Sequence, residues 1–137
     1  MQLKLIKNPD ENRGIIYKIA RVIYTETSAS SLIAVEALAA MIANRSAALN
    51  QSPMEIINDC DLFESNNPKS PRHKPTSSVD VNSRGFCMCL RVVRRMMNSA
   101  LDDVCNGATM FHHSDCMPQW AAARGYIADI DGLLFYA

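Results

Sequence analysis

The carboxylate best placed for chemistry in this sequence is Glu26. It lies in the run YTETSASS (24–31), among small hydroxyl side chains, and no lysine or arginine lies within four residues of it. A carboxylic acid acts as a general acid near neutral pH only where its surroundings favour the protonated form, and apolar neighbours do so. The sequence therefore predicts either a proton donor in a cleft or an ordinary solvent-facing glutamate at a helix end.

Thiols and imidazoles form a second group with chemical potential. They are Cys87, Cys89, Cys105, His112, His113 and Cys116. Zinc requires ligands that converge as a tetrahedron, whereas Cys-x-Cys in a helix directs its side chains about 200° apart and adjacent strand residues point to opposite faces. We therefore predict no metal and no cofactor, with reduced core thiols and one inward and one outward histidine. A structural metal site is the alternative, and a cysteine nucleophile is not expected because no cysteine follows a strand-to-helix turn.

Length and charge limit the classes of protein to which the chain could belong. Its 137 residues suit one domain, 1–137, and its 14 basic and 14 acidic residues cancel. Balanced charge does not favour nucleic acid or an anionic membrane as a partner. No apolar run approaches 18 residues and the start of the chain lacks an apolar signal region, so we predict no membrane insertion and no signal peptide in the given chain.

Two helices must position Glu26. The first is predicted to have Asn8 as its cap and Pro9 at its first position, and the hydroxyl-rich run after Glu26 ends it, because such side chains compete for backbone hydrogen bonds. The second is predicted over about 31–49, capped by Ser30 or Ser31. It is rich in alanine, which permits close packing, and we expect it to be central and buried.

Two further helices are predicted after these. Ser52 and Glu55 in SPMEII have the spacing of a capping box and indicate a short third helix. The fourth is predicted over about 83–104, where apolar residues recur every three or four positions.

The remainder of the chain indicates a long loop and a small sheet. The stretch of about 64–82 contains three prolines but no leucine or isoleucine, and loops this long are functional or disordered. ATMFHH (108–113) is a predicted strand, and Asp131-Gly132 between two apolar runs predicts a tight hairpin. Helices followed by an antiparallel sheet make an α+β fold.

Four segments occur in an order typical of one family. They are ARVIYTE, which ends at Glu26; AVEALAAMIANR, which ends at Asn44-Arg45; GATMFHH; and YIADIDGLLFY. In these residues the chain resembles the spore-cortex-lytic, SleB-type cell-wall hydrolases. His112 and His113 stand where the family usually has tyrosine and asparagine, and the four segments bracket nearly the whole chain.

The resemblance implies a mainly helical, lysozyme-like α+β domain that cleaves the MurNAc–GlcNAc bond of peptidoglycan as a lytic transglycosylase or muramidase. It assigns the general acid and base to Glu26. In a lytic transglycosylase the sugar's own 6-hydroxyl attacks, so a second carboxylate is not required as nucleophile. The candidate substrate-binding residues are Tyr24, Phe111, His113, Trp120 and Tyr136.

One departure from the family leaves a second function open. The family's Arg-Gly-Glu segment after the catalytic glutamate is replaced by residues 28–30, Ser-Ala-Ser. A catalytically silent module that binds peptidoglycan or another protein on the same fold is therefore the alternative. The predicted partner is the peptidoglycan glycan strand, and the expected place of action is the cell wall, periplasmic or extracellular. A phage endolysin would be cytoplasmic until its release.

Overall fold

In the computed structural model, residues 9–70, 73 and 79–137 are described, with side chains from residue 14 onward. The predicted cap Asn8 and much of the predicted loop, namely 71–72 and 74–78, lie outside the described residues. The described elements combine α-helices with a small antiparallel sheet near the C-terminus, which confirms the predicted α+β class.

The first two helices agree with the sequence prediction. Helix α1 spans Pro9–Thr27 and ends where Ser28 adopts a positive φ of 55°. Helix α2 spans Leu32–Leu49, and the side chain of its cap, Ser31, accepts a hydrogen bond from the Ala34 N–H. A capping side chain of this kind satisfies one of the amide donors that a helix start leaves unpaired.

The third helix agrees with its prediction, whereas the fourth ends earlier than predicted. Helix α3 spans Pro53–Ile57 and has the full capping box expected of Ser52 and Glu55. Helix α4 spans Arg84–Met97, so the predicted end near 104 is corrected. The helix stops because Ser99 adopts a left-handed φ of 56°, while the following N–H, of Ala100, returns to the carbonyl of Arg95. This is a Schellman ending, which apolar spacing does not reveal.

Three strands complete the described fold. Strand β1 spans Met110–His113, β2 spans Ala128–Ile130 and β3 spans Leu133–Tyr136, in the order β1-β3-β2, all antiparallel. Asp131 and Gly132 both have positive φ, at 50° and 80°, as a two-residue type I′ hairpin requires. The Asp131 carboxylate also accepts a hydrogen bond from the Ser31 hydroxyl, which fixes the hairpin tip at the start of α2.

Helix α2 is the centre of the core. Its buried residues are Ala34, Val35, Ala37, Leu38, Ala39, Ala40, Met41 and Ile42. Helices α1 and α4 pack against it and against each other. By length and composition α2 could also cross a membrane, but a buried core helix of a soluble protein passes the same test.

Candidate functional site

Glu26 lies in the last turn of α1, one turn before the chain reverses toward α2. The side chain of the next residue, Thr27, donates to the Ile23 carbonyl and accepts from the Ala29 N–H, so the helix end is held by local bonds. Only 7% of Glu26 is exposed. The interpretation of Glu26 as a solvent-facing helix-end residue is therefore wrong.

Both carboxylate oxygens of Glu26 have partners. His113 Nε2 lies 2.8 Å from Oε1, and the Ser65 N–H donates to Oε2 over 3.2 Å. The Glu26 side chain is 3% exposed and that of His113 is 20% exposed. No lysine or arginine is close to Glu26 in the sequence. In the folded chain, however, β1 places the imidazole of His113 beside the Glu26 carboxyl group. A carboxyl–imidazole pair at this distance can share and transfer one proton.

Ser65 is held in place by its own contacts. It lies in a short 3-10 helix, Glu64–Asn66, and its carbonyl lies 2.9 Å from His73 Nδ1. Its hydroxyl has no hydrogen-bond partner among the described residues, although Ser65 is buried. The start of the predicted 64–82 loop therefore supplies a backbone donor to Glu26.

A cleft of about 180 Å³ opens beside the pair. It is lined by Asp61, Leu62, Glu64, Phe111, His112, His113, Cys116, Met117, Pro118 and Trp120. His113 borders the cleft, whereas Glu26 lies behind it and does not. Aromatic rings together with carboxyl groups are suited to a sugar, since rings cover its apolar face and carboxylates accept bonds from its hydroxyls.

The predicted aromatic residues divide between the cleft and the core beside it. Trp120 borders the cleft and is partly exposed, as a stacking residue must be. Tyr136 does not border the cleft and is 2% exposed, which corrects its predicted contact with substrate. Its hydroxyl lies 2.8 Å from His112 Nε2, and its ring meets Trp120 edge-on at 5.1 Å. Tyr136 thus positions His112 and Trp120.

Tyr24 lies outside the cleft lining, whereas Phe111 is part of it. Tyr24 packs on Phe86 at the start of α4, away from the cleft, because residues two apart on a helix point about 200° apart. Tyr24 does not line this cleft, and its contact with substrate stays a prediction. Phe111 lines the cleft but is only 2% exposed, and its ring packs 5.4 Å from Phe63. It is a floor residue of the cleft.

The Asn44-Arg45 pair explains how β1 is aligned with α2. The Asn44 amide donates to the Ala108 carbonyl over 3.1 Å, and the Arg45 guanidinium donates to the Thr109 carbonyl over 3.3 Å. Arg45 also pairs with Asp59 at 3.4 Å. These bonds hold the chain that enters β1, and β1 carries His113. Asn44 and Arg45 therefore help to position His113 indirectly, through the chain that enters β1.

The predicted histidine arrangement, one inward and one outward, is only partly met. His112 is 6% exposed, but His113 is directed at the buried Glu26. Several residues of the site were not singled out from the sequence: Asp61, Leu62, Glu64, Met117 and Pro118, which line the cleft, and Ser65, which donates to Glu26. Four of these residues belong to the segment DLFES (61–65), and the sequence signal that could have identified them is the apolar pair Leu62-Phe63 between polar residues.

The thiols are dispersed. Burial raises the pKa of the Cys89 and Cys105 thiols to about 12, and for Cys105 the hydrogen bond and charge of Asp103 add to the effect. Cys60 and Cys87 are exposed. In the described part of the chain no group of three or more His, Cys, Asp or Glu residues is arranged to hold a metal ion.

Asp103 is the described carboxyl whose pKa shifts. Burial acts to raise it, but hydrogen bonds from Cys105, Gly107 and Asn44 outweigh burial and lower the pKa from 3.8. The carboxylate thus organises the turn that precedes β1.

No protein-family model, no curated protein and no solved structure matches the chain. The similarity to SleB-type hydrolases therefore remains a hypothesis that depends on the four sequence segments.

Proposed function

We propose that this protein cleaves the glycan strands of peptidoglycan and that the Glu26–His113 pair is its acid–base unit. The observation that carries the proposal is the 2.8 Å contact between a buried carboxyl group and an imidazole that borders a cleft. A buried acid with a proton-transfer partner beside a cleft is a common arrangement in general acid catalysis. Trp120 in the same cleft supplies a surface for a sugar ring.

The proposed reaction begins with the proton that the pair holds. Because Glu26 lies behind His113, the imidazole delivers the proton to the glycosidic oxygen and the carboxylate stabilises the imidazolium. Cleavage of the C–O bond leaves an oxocarbenium-like sugar. The sugar's own 6-hydroxyl then attacks that carbon, and the pair takes back the hydroxyl proton, so acid and base roles fall to one unit.

Mass spectrometry of muropeptides tests the proposal. Purified peptidoglycan is digested with the wild type, with Glu26→Gln and with His113→Gln, and Asp129→Asn serves as a control that removes an exposed carboxylate on β2. We expect anhydro-sugar products from the wild type and the control, and a loss of about 100-fold or more in both site variants. Intact glycan after digestion with the folded wild type would contradict the proposal.

A silent binding module is the second candidate function. Its support is that Glu26 does not border the cleft and that both of its oxygens are already engaged. Ser-Ala-Ser at 28–30 adds to this, since a second acid and a cation of the family are missing. This candidate predicts that peptidoglycan retains the protein in a pull-down equally well with wild-type chain and with Glu26→Gln, and that neither cleaves glycan.

A further inference from the structure

A second depression lies between α1 on one side and α3 with the chain that follows it on the other. Its volume is about 530 Å³, and we call it the basic groove. It is lined by Lys18, Arg21, Val22, Met54, Ile57, Asn58, Cys60 and Asn66. The lining contains two cations and two amides but no carboxylate.

Two described acids near the basic groove have partners outside it. Glu55 accepts the Ser52 N–H in its capping box, and Asp59 pairs with Arg45. Within residues 14–70, 73 and 79–137 no ion pair involves Lys18 or Arg21. Two cations in one concave surface, with no carboxylate partner among the described side chains, favour an anionic ligand.

One segment separates the basic groove from the cleft. Asn58, Cys60 and Asn66 face the groove, whereas Asp61 and Glu64 border the cleft. On α1, Val22 in the groove lies one turn before Glu26. Because this segment contributes to both depressions, a ligand that occupies both would cross it, with its uncharged part in the cleft and its anionic part in the groove.

We propose that the basic groove binds the carboxylates of the peptide stem that peptidoglycan carries on its muramic acid. The inference rests on the proposed function, because it places the glycan in the cleft. Arg21 offers a planar pair of donors that matches a carboxylate, and Lys18 adds a mobile point charge three residues earlier on the same helix face. The acids of the cleft would repel the same carboxylates, which fixes the direction in which the substrate lies.

Cys60 provides the test, because this exposed thiol lines the groove while Cys87, which is also exposed, does not. The alkylation of both thiols by iodoacetamide is followed by mass spectrometry, with a free stem tetrapeptide and with its fully amidated form. We expect the acidic peptide to slow alkylation of Cys60 at least threefold and to leave Cys87 unchanged. The amidated peptide should protect neither thiol.

Variants link the protection to the two cations. Lys18→Gln with Arg21→Gln should require about tenfold more peptide for the same protection of Cys60, whereas Arg91→Gln, an exposed cation on α4, should behave as wild type. Equal protection by acidic and amidated peptides, or none by either, overturns the inference.

The two proposals can fail separately. Protection of Cys60 does not require catalysis, so it should persist in Glu26→Gln. Protection by the acidic peptide without any glycan cleavage by the wild type would support the groove and contradict the proposed cleavage. Cleavage without protection would overturn the groove and leave the cleavage proposal standing.

Discussion

Replacement of His113 by alanine tests whether the contact with Glu26 is an ion-assisted bond. The substitution removes one of the two hydrogen-bond partners of a carboxyl group that is 3% exposed. A hydrogen bond to a charged group contributes about 1.5–3 kcal/mol, and one between neutral groups about 0.5–1.5 kcal/mol. His113→Ala should therefore lower the free energy of unfolding by about 2 kcal/mol.

The background of Glu26→Gln separates charge from packing. Glutamine keeps the shape and an oxygen acceptor for the Ser65 N–H, but it cannot ionise. In that background His113→Ala should cost only about 1 kcal/mol, so the coupling energy between the two positions is about 1 kcal/mol. In a chain of this length a loss of about 2 kcal/mol corresponds to a fall in Tm of roughly 6–10 °C.

Urea denaturation of the wild type, the two single variants and the double variant near pH 7 measures the coupling. Ser65→Ala is a matched control, because it removes a buried hydroxyl without a described partner and keeps the N–H that reaches Glu26. It should not lower the free energy of unfolding, because no described hydrogen bond is lost and a buried unsatisfied hydroxyl is removed. If His113→Ala cost the same in both backgrounds, within about 0.3 kcal/mol, an ionised pair would be refuted.

Three other substitutions test the surroundings of the site. Tyr136→Phe leaves the buried His112 Nε2 without its partner, and urea denaturation should show a loss of about 1–3 kcal/mol. Gly85→Ala would place a methyl carbon 2.9 Å from Ala29 Cβ, so the Tm should fall by a few degrees despite the better helix propensity of alanine. Because the pKa of Asp103 is lowered from 3.8 in the folded state, the wild type should be more stable than Asp103→Asn above about pH 5, and this advantage should vanish as pH falls through the folded-state pKa below 3.8.

Local chemistry explains which elements were predictable. The capping box of Ser52 and the Asp131-Gly132 turn are decided by residues within four positions of each other, so the sequence alone was sufficient. The end of α4 was misplaced because Leu101 and Val104 still pack on the core after the helix has stopped. Apolar spacing indicates which residues pack on the core and not where a helix ends. Leu101 and Val104 pack on the core although they follow the left-handed turn at Ser99.

The candidate site was harder to predict because its parts meet only in three dimensions. The type and surroundings of Glu26 left two interpretations open and the family resemblance assigned it the acid role, but its partner lies 87 residues away. The second donor is the Ser65 backbone, and an amide has no side-chain signature. Tyr24 and Tyr136 were expected at the substrate because tyrosines are suited to both surfaces and cores, and only the packing distinguishes the two uses.

The Ser65–Glu26 bond joins residues 39 apart in sequence, so its presence depends on the folding of the domain as a whole. Such a bond forms only when α1 and the 3-10 helix are already docked, so no fragment that lacks either segment can contain it. The Ser65 amide proton should consequently exchange with solvent only in rare, large openings of the domain, although it lies beside a cleft. The Ser65–Glu26 bond would then be lost in the same cooperative transition that unfolds the chain as temperature rises.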